Sequence, residues 1–293
     1  MTIAAELTVL PAAQWRENQA RHEERVDDLT REHRHRSGRQ VRHPVEDFLF
    51  TYYSFRPAQL RRWHPGLGVA LAQAPERASW RFHRVLPGDT VTADPARFRS
   101  ERGSQVDFIR RLLTATSSAP GQFGCFGLHE WAMVFRQDDA AHRHQQWPLR
   151  LGRAGTDDVI RDHQIKCTHY DAFRFFTPQA RPRNALQPDL QSRLQLEQPG
   201  CLHASMDVYK WAYKLVPVVP SELLMDCFDL AKSIRVLDMR ASPYDLTDLG
   251  YAPVRIETAA GKAEYVAAQR AFSEQARVLR RRLLGVLEHL ARD

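Results

Sequence analysis

The sequence predicts a mainly α protein, a multi-helix single domain with one small β-element near residues 67–94. Three observations predict it. Long stretches place apolar residues three, four or seven apart, the period of a helix that buries one face. Only residues 67–94 switch to short alternating segments bounded by Pro-Gly or Pro-Glu, the mark of small strands. The chain has 293 residues, 43% of them hydrophobic, which is enough to build and cover a core.

Taken in order, residues 11–36 read as a helix opened by Pro11, with Trp15, His22, Val26 and Leu29 on one narrow stripe. Its remaining surface is charged and its end, REHRHRSGRQVRH, is basic, so residues 1–40 read as a helical arm packed by one face. Residues 43–55, HPVEDFLFTYYSF, are dense in aromatics, and Pro44 suits the opening of a short helix. A helical turn in RPAQLRRWHPG is stopped by Pro65 and Gly66. GVALA, WRFHRV and DTVTAD are the expected strands. Residues 95–117 form a helix with Phe98, Val106, Ile109, Leu112 and Leu113 inward. A short helix begins at His129, and Thr156 is expected to cap another. CTHYDAFRFFTP reads as extended, and residues 178–198 as a Pro-rich loop. From Pro199 the chain is helical to its end with one break. The clearest helix is SELLMDCFDLAKSIRVLDMR, with Ser221 expected as its cap and Leu223, Cys227, Leu230, Ile234 and Leu237 as its stripe; the last is placed over residues 264–290.

The formal net charge is +7, and only five of the 42 basic residues are Lys. An Arg-rich surface favours anionic partners, DNA among them, because guanidinium pairs with phosphate and carboxylate through two bonds. The glycines of PGQFGCFGLHEW do not make a phosphate-binding loop. The four cysteines lie far apart, with no C-x-x-C pair, and are expected to be reduced. The N-terminal residues lack the charge pattern of a signal peptide and no run of about 18 apolar residues occurs. A cytoplasmic protein with no membrane partner is therefore expected.

Four constellations can carry chemistry. His203, Asp207, Lys210 and Lys214 share one face of a helix, suited to proton transfer or anion binding, or to a surface ladder of ion pairs. Asp226 and Asp229 offer paired carboxylates, or partners for arginine. His129, Glu130, His163 and His169, joined by His203, supply the donor types of a metal site for iron or zinc, although no strict ligand spacing occurs. Glu46 and Asp47 lie among Tyr52, Tyr53 and Trp63, suited to a cationic or planar ligand or to a plain aromatic core.

Five segments together carry a resemblance: HPVEDFLFTYYSFRPAQLRRWHPG, FGCFGLHEWAMV, THYDAFRFFTP, QPGCLHASMDVYKWAYKL and DMRASPYDLTDLGYAPVRIET. From about Trp15 to the last helix the chain resembles a bacterial, mainly actinobacterial, family carried under the name 3-methyladenine DNA glycosylase. The helix-hairpin-helix, terminal zinc set and helical repeats of the well-understood glycosylases of that name are missing from the sequence, so no catalytic residue carries over. The resemblance implies a hydrolase that cleaves the N-glycosidic bond of alkylated bases in DNA repair. Such chemistry needs an aromatic pocket for the extruded base and a carboxylate beside the sugar. The expected catalytic groups are then Asp47 or Glu46, with His203 and Asp207 as further candidates. Tyr52, Tyr53, Trp63 and Trp131 would surround the base, and Lys210 and Lys214 would meet phosphate. Two other readings stand beside it: a His/carboxylate metal enzyme acting on a small molecule, and an Arg-rich nucleic-acid-binding protein without turnover.

Overall fold

The computed structural model describes residues 7–137 and 147–292. It is mainly helical, with eleven α-helices and one four-stranded sheet among the described residues. No described helix is long and apolar enough to cross a membrane. The chain forms two compact units. One comprises the chain up to Arg111, Tyr209–Asp229 and the part from Leu279 onward; the other comprises Leu112–Val208 and Leu230–Val278.

The first unit holds the sheet. Strands β2 (Val69–Leu71), β3 (His83–Leu86) and β4 (Thr90–Ala93) form where alternation predicts them. A strand not foreseen, β1 (Thr8–Leu10), pairs parallel to β2 with Thr8 opposite Val69; the order is β1-β2-β4-β3, and the remaining pairs are antiparallel. Three residues are too few for a periodic signal, which is why β1 escapes a reading of the sequence. Beneath the sheet Trp15, Trp63, Leu71, Ala74 and Val91 close into one apolar cluster with Leu10 against it. Arg77 is buried beside them, its guanidinium 4.0 Å from the Trp80 ring centroid and donating to the Trp63 carbonyl at 2.8 Å and to Gln19 Oε1 at 2.6 Å. Burial lowers its pKa to about 10, so it stays charged near neutral pH.

Helix α1 (Ala12–Gly38) buries Trp15, His22 and Val26 as expected, with Thr30 in place of Leu29. Its basic end turns inward at two points. Asp47 sits just before α2 (Phe48–Tyr52) and accepts from Arg36 Nη2 at 2.6 Å, from the His43 amide at 2.8 Å, and lies 2.9 Å from His33 Nδ1. The short helix α3 (Pro57–Leu60) follows, and α4 (Pro95–Ser118) runs one residue beyond its expected end.

The second unit carries α5 (Leu128–Ala132), α6 (Gly152–Asp162), α7 (Tyr170–Phe173) and α8 (Arg193–Leu196). Long helices α9 (Leu202–Lys214), α10 (Ser221–Arg240) and α11 (Ala259–Arg292) complete the chain. Four local expectations change. Residues 170–173 are helical, not extended: Asp171, Ala172 and Phe173 are buried consecutively, which an alternating strand cannot do. The loop over residues 178–198 contains α8. Thr156 lies inside α6, its hydroxyl donating to the Gly152 carbonyl at 2.6 Å. Ser221 does not cap α10; its hydroxyl accepts from the His64 amide at 2.9 Å, while Thr258 caps α11 by accepting from the Gly261 amide at 3.0 Å. Gly127 enters α5 at φ 71°, a left-handed conformation that costs glycine little, with the Tyr265 ring 3.3 Å from where a side chain would begin.

Asp47 ties α1 to the turn before α2 and is held below the usual carboxylate range: burial works against this, and Arg36, His33 and the His43 amide outweigh it. Its stabilisation is therefore complete above the unfolded pKa of about 3.9 and lost as pH falls through the lower folded value. Asp47→Asn is expected to destabilise the protein by about 1–3 kcal/mol at pH 7 in urea unfolding, and by clearly less near pH 3. An equal loss at both pH values would contradict this role.

Candidate metal site

Three helical segments within the second unit each deliver one donor to a single point. His129 comes from α5, His203 from the first turn of α9 and Asp238 from the last turn of α10, and all three are buried. Their ligand atoms lie within 4.8 Å of one another. The His129 and His203 rings meet edge to face with centroids 4.4 Å apart. His129 Nε2 is 2.9 Å from Asp238 Oδ1, and neither atom has a further partner among the described residues. Adjacent ligands of a first-row metal ion, each about 2.0–2.2 Å from it, stand at about this separation and point at the ion instead of at each other.

Asp238 is fully buried and needs a counter-charge. Arg235, one turn earlier on α10, provides it: Nη1 donates to Asp238 Oδ2 at 2.8 Å and to Glu130 Oε1 at 2.9 Å. The same guanidinium thus fixes α5 to α10 and leaves Asp238 Oδ1 turned toward the imidazoles. Burial opposes ionisation of Asp238, but His129 and Arg235 hold its pKa well below the usual range. His203 is driven well below its ordinary value by burial, reinforced by His129, and is a neutral imidazole, the form that binds a metal. Burial also pulls His129 down, but Asp238 outweighs it and the net shift is upward.

A second group adjoins the first. His169 stacks on His203 with centroids 5.3 Å apart, and His169, Asp171 and Asp207 also bring ligand atoms within 4.8 Å. Glu197 completes it, its Oε1 3.4 Å from His169 Nε2. This group already holds a cation of its own. Arg193 of α8 pairs with Glu197, reaches Asp207 Oδ2 at 3.0 Å and Asp171 Oδ2 at 3.4 Å, and its pKa is raised because three carboxylates outweigh burial. The fork of a guanidinium suits such a set, and Arg193 stands where a second ion would otherwise sit.

A cavity of about 410 Å³ opens onto the first group, with His129 and His203 in its wall. Cys125, Cys167 and Cys201 line it too. Burial raises all three thiols, Cys167 to about 12, so they remain protonated and form an apolar wall. Beside the lining residues Gln122 and Gln198, two stretches of backbone approach closely. Gly200 faces Gln122, where an added side-chain carbon would stand 2.3 Å from the Gln122 carbonyl oxygen. Gln198 Oε1 accepts from both the Gln122 amide, at 2.8 Å, and the Gly200 amide, at 2.7 Å.

The residues predicted from sequence part company here. His129 and His203 meet, and Glu130 supports them through Arg235. His169 and Asp207 meet in the adjoining group. His163 ends α6 instead, its Nδ1 2.7 Å from the Val159 carbonyl oxygen. Asp226 and Asp229 pair with Arg282 and Arg25, the arginine pairing foreseen as their alternative. Lys214 lines a different cavity and Lys210 lies over the Trp211 ring. Trp131 is wholly buried, donating to the Ala241 carbonyl at 2.8 Å, and Tyr53 and Trp63 are core residues. Tyr52 is half-buried, stacked on Phe48, and Glu46 is half-buried. Asp238, Arg235, Arg193 and Glu197 were not singled out. The signal for two of them is present: Ala231, Arg235, Asp238 and Ser242 follow one another at helical spacing along a buried line, and a charge pair on such a line announces a buried site.

Compared with family models, curated proteins and solved structures, the chain shows no significant match. Its own geometry therefore carries the functional argument.

Removing Arg193 strands three buried carboxylates. Arg193→Met is expected to cost about 3–5 kcal/mol of stability, read by chemical denaturation. A change below about 1 kcal/mol would show that Arg193 is not the counter-ion of the second group.

Proposed function

We propose that this protein is a metal-dependent enzyme acting on a small molecule, with one divalent first-row ion held by His129, His203 and Asp238. The observation that carries the reading is the convergence of two imidazoles, both in the cavity wall, on one fully buried carboxylate, with His129 Nε2 and Asp238 Oδ1 2.9 Å apart. Two histidines and one carboxylate are the donor set of mononuclear iron(II) enzymes, and three protein ligands also serve catalytic zinc. Iron(II) is the first candidate, because the set is nitrogen and oxygen only and the neighbouring thiols are protonated. When bound, such an ion would supply a Lewis acid beside the cavity.

The chain's own residues do the rest. Arg235 locks one oxygen of Asp238 and so orients the other. Glu130 keeps Arg235 in place. The protonated cysteines give the cavity an apolar face beside the polar Gln122, Lys166, Thr168 and Gln198. The Gln198 clasp fixes the spacing between the loop bearing Cys125 and the turn that begins α9.

Base removal from alkylated DNA, the reading implied by the resemblance, draws less support from the geometry. It needs a carboxylate open to an extruded base. Asp47 is 4% exposed, and its oxygens already accept from Arg36 and the His43 amide.

Elemental mass spectrometry of the purified, tag-free protein is expected to find about one equivalent of iron or zinc, or to find it after anaerobic loading. His203→Ala and Asp238→Ala should lose that ion, while Cys167→Ser keeps it. Wild-type protein that takes up no metal, or variants that retain it in full, would overturn the proposal.

A cavity prediction follows from the close approach at Gly200. Gly200→Ala should leave metal content near wild-type, since the side chain adds no donor, and lower activity on any identified substrate at least tenfold by shifting the cavity wall. Unchanged turnover would show that this wall does not shape the substrate site.

A further inference from the structure

The first unit contains a second cavity, of about 340 Å³, unrelated to the metal site. Its chemistry is different. Arg62, Arg81, Arg102 and Lys214 line it, and no carboxylate does so among the described residues. Arg81 has Glu101 as a partner at 2.6 Å, on the exposed side. Trp80, Phe82, Phe55 and Tyr213 contribute aromatic surface. Phe55 and Tyr213 are stacked, with centroids 4.9 Å apart, and Arg62 lies over the Trp80 ring.

His64 is the most telling lining residue. It is 6% exposed, and its Nδ1 has no hydrogen-bond partner among the described residues. Its backbone is pinned, the amide donating to Ser221 Oγ and the carbonyl accepting from the Ser221 amide, each at 2.9 Å. Buried polar atoms without a partner are rare in folded proteins and call for a ligand, a water or a strained function. The groups facing His64 are Trp80, His83, Arg62 and Arg77, so the surroundings are cationic and aromatic. Burial and these cations hold the imidazole neutral.

A cationic cavity with aromatic faces, at the small end of the range for ligand sites, recognises an anion attached to a planar ring. We infer that this cavity binds a phosphorylated aromatic small molecule of mononucleotide size, with Arg62 and Arg102 meeting the phosphate and Trp80 meeting the ring. The inference does not depend on the metal site.

Isothermal titration of the full chain at low salt with adenosine monophosphate, adenosine and inorganic phosphate tests it. Adenosine monophosphate should bind, with adenosine and phosphate each at least tenfold weaker. Arg62→Gln and Arg102→Gln, which remove side chains from the cavity's rim and leave the aromatic core intact, should each weaken it about five- to tenfold. His203→Ala should leave it unchanged, which separates this result from the fate of the metal proposal. No binding of adenosine monophosphate at millimolar concentration would overturn the inference. So would binding that is insensitive to both arginine variants, and phosphate binding as tightly as the nucleotide would overturn the role given to Trp80.

Discussion

Carboxylates buried out of water must be given a counter-charge inside the protein, and that constraint organises the site-bearing unit. An isolated buried carboxylate would be protonated or would unfold the structure around it. Asp238 is fully buried, as are Asp207 and Glu197 nearly so. Each is met by a guanidinium, Arg235 one turn away on the same helix for the first and Arg193 of α8 for the others. Arginine suits this work because it stays charged when buried and its fork serves several oxygens at once. The composition, five lysines among 42 basic residues, is put to structural use here, whatever produced it.

The two arginines act differently, and the difference gives the unit its chemistry. Arg193 sits inside its carboxylates and spans three of them, so that group is internally complete. Arg235 takes one oxygen of Asp238, Oδ2, while His129 lies against the other. The second oxygen remains beside two imidazoles that line a cavity. One group is thus a clamp among α7, α8 and α9, and the other leaves a carboxylate oxygen beside two imidazoles. The stacked His203 and His169 rings bring the two groups into contact.

Much of the fold is legible in the sequence because helices repeat their pattern. The long helices α1, α4, α10 and α11 each offer several turns of apolar spacing, and the Pro-Gly boundaries mark β2 to β4. Short elements offer too few residues for a period: β1 has three, and α7 has four, two of them aromatic, within an aromatic run that looks extended. The site was half legible. His129, His203, His169 and Asp207 stand out as chemically distinctive residues in otherwise apolar runs. Asp238 and Arg235 do not, because a charged pair one turn apart reads as an ordinary solvated bridge until it is seen to lie on the buried line of α10. Asp47 misleads in the opposite direction. Its aromatic neighbours in sequence suggest a binding pocket, whereas its partners in space come from the end of α1, a tertiary pairing that no local pattern encodes.

The most direct measurement is the position of the ion. Crystals of the iron- or zinc-loaded protein, with anomalous diffraction collected at the metal edge, should show one peak bounded by His129, His203 and Asp238 and none at Arg193. A peak elsewhere in the chain, or an ion that displaces Arg193 into solvent and takes its place among Asp171, Glu197 and Asp207, would contradict the division of labour between the two arginines.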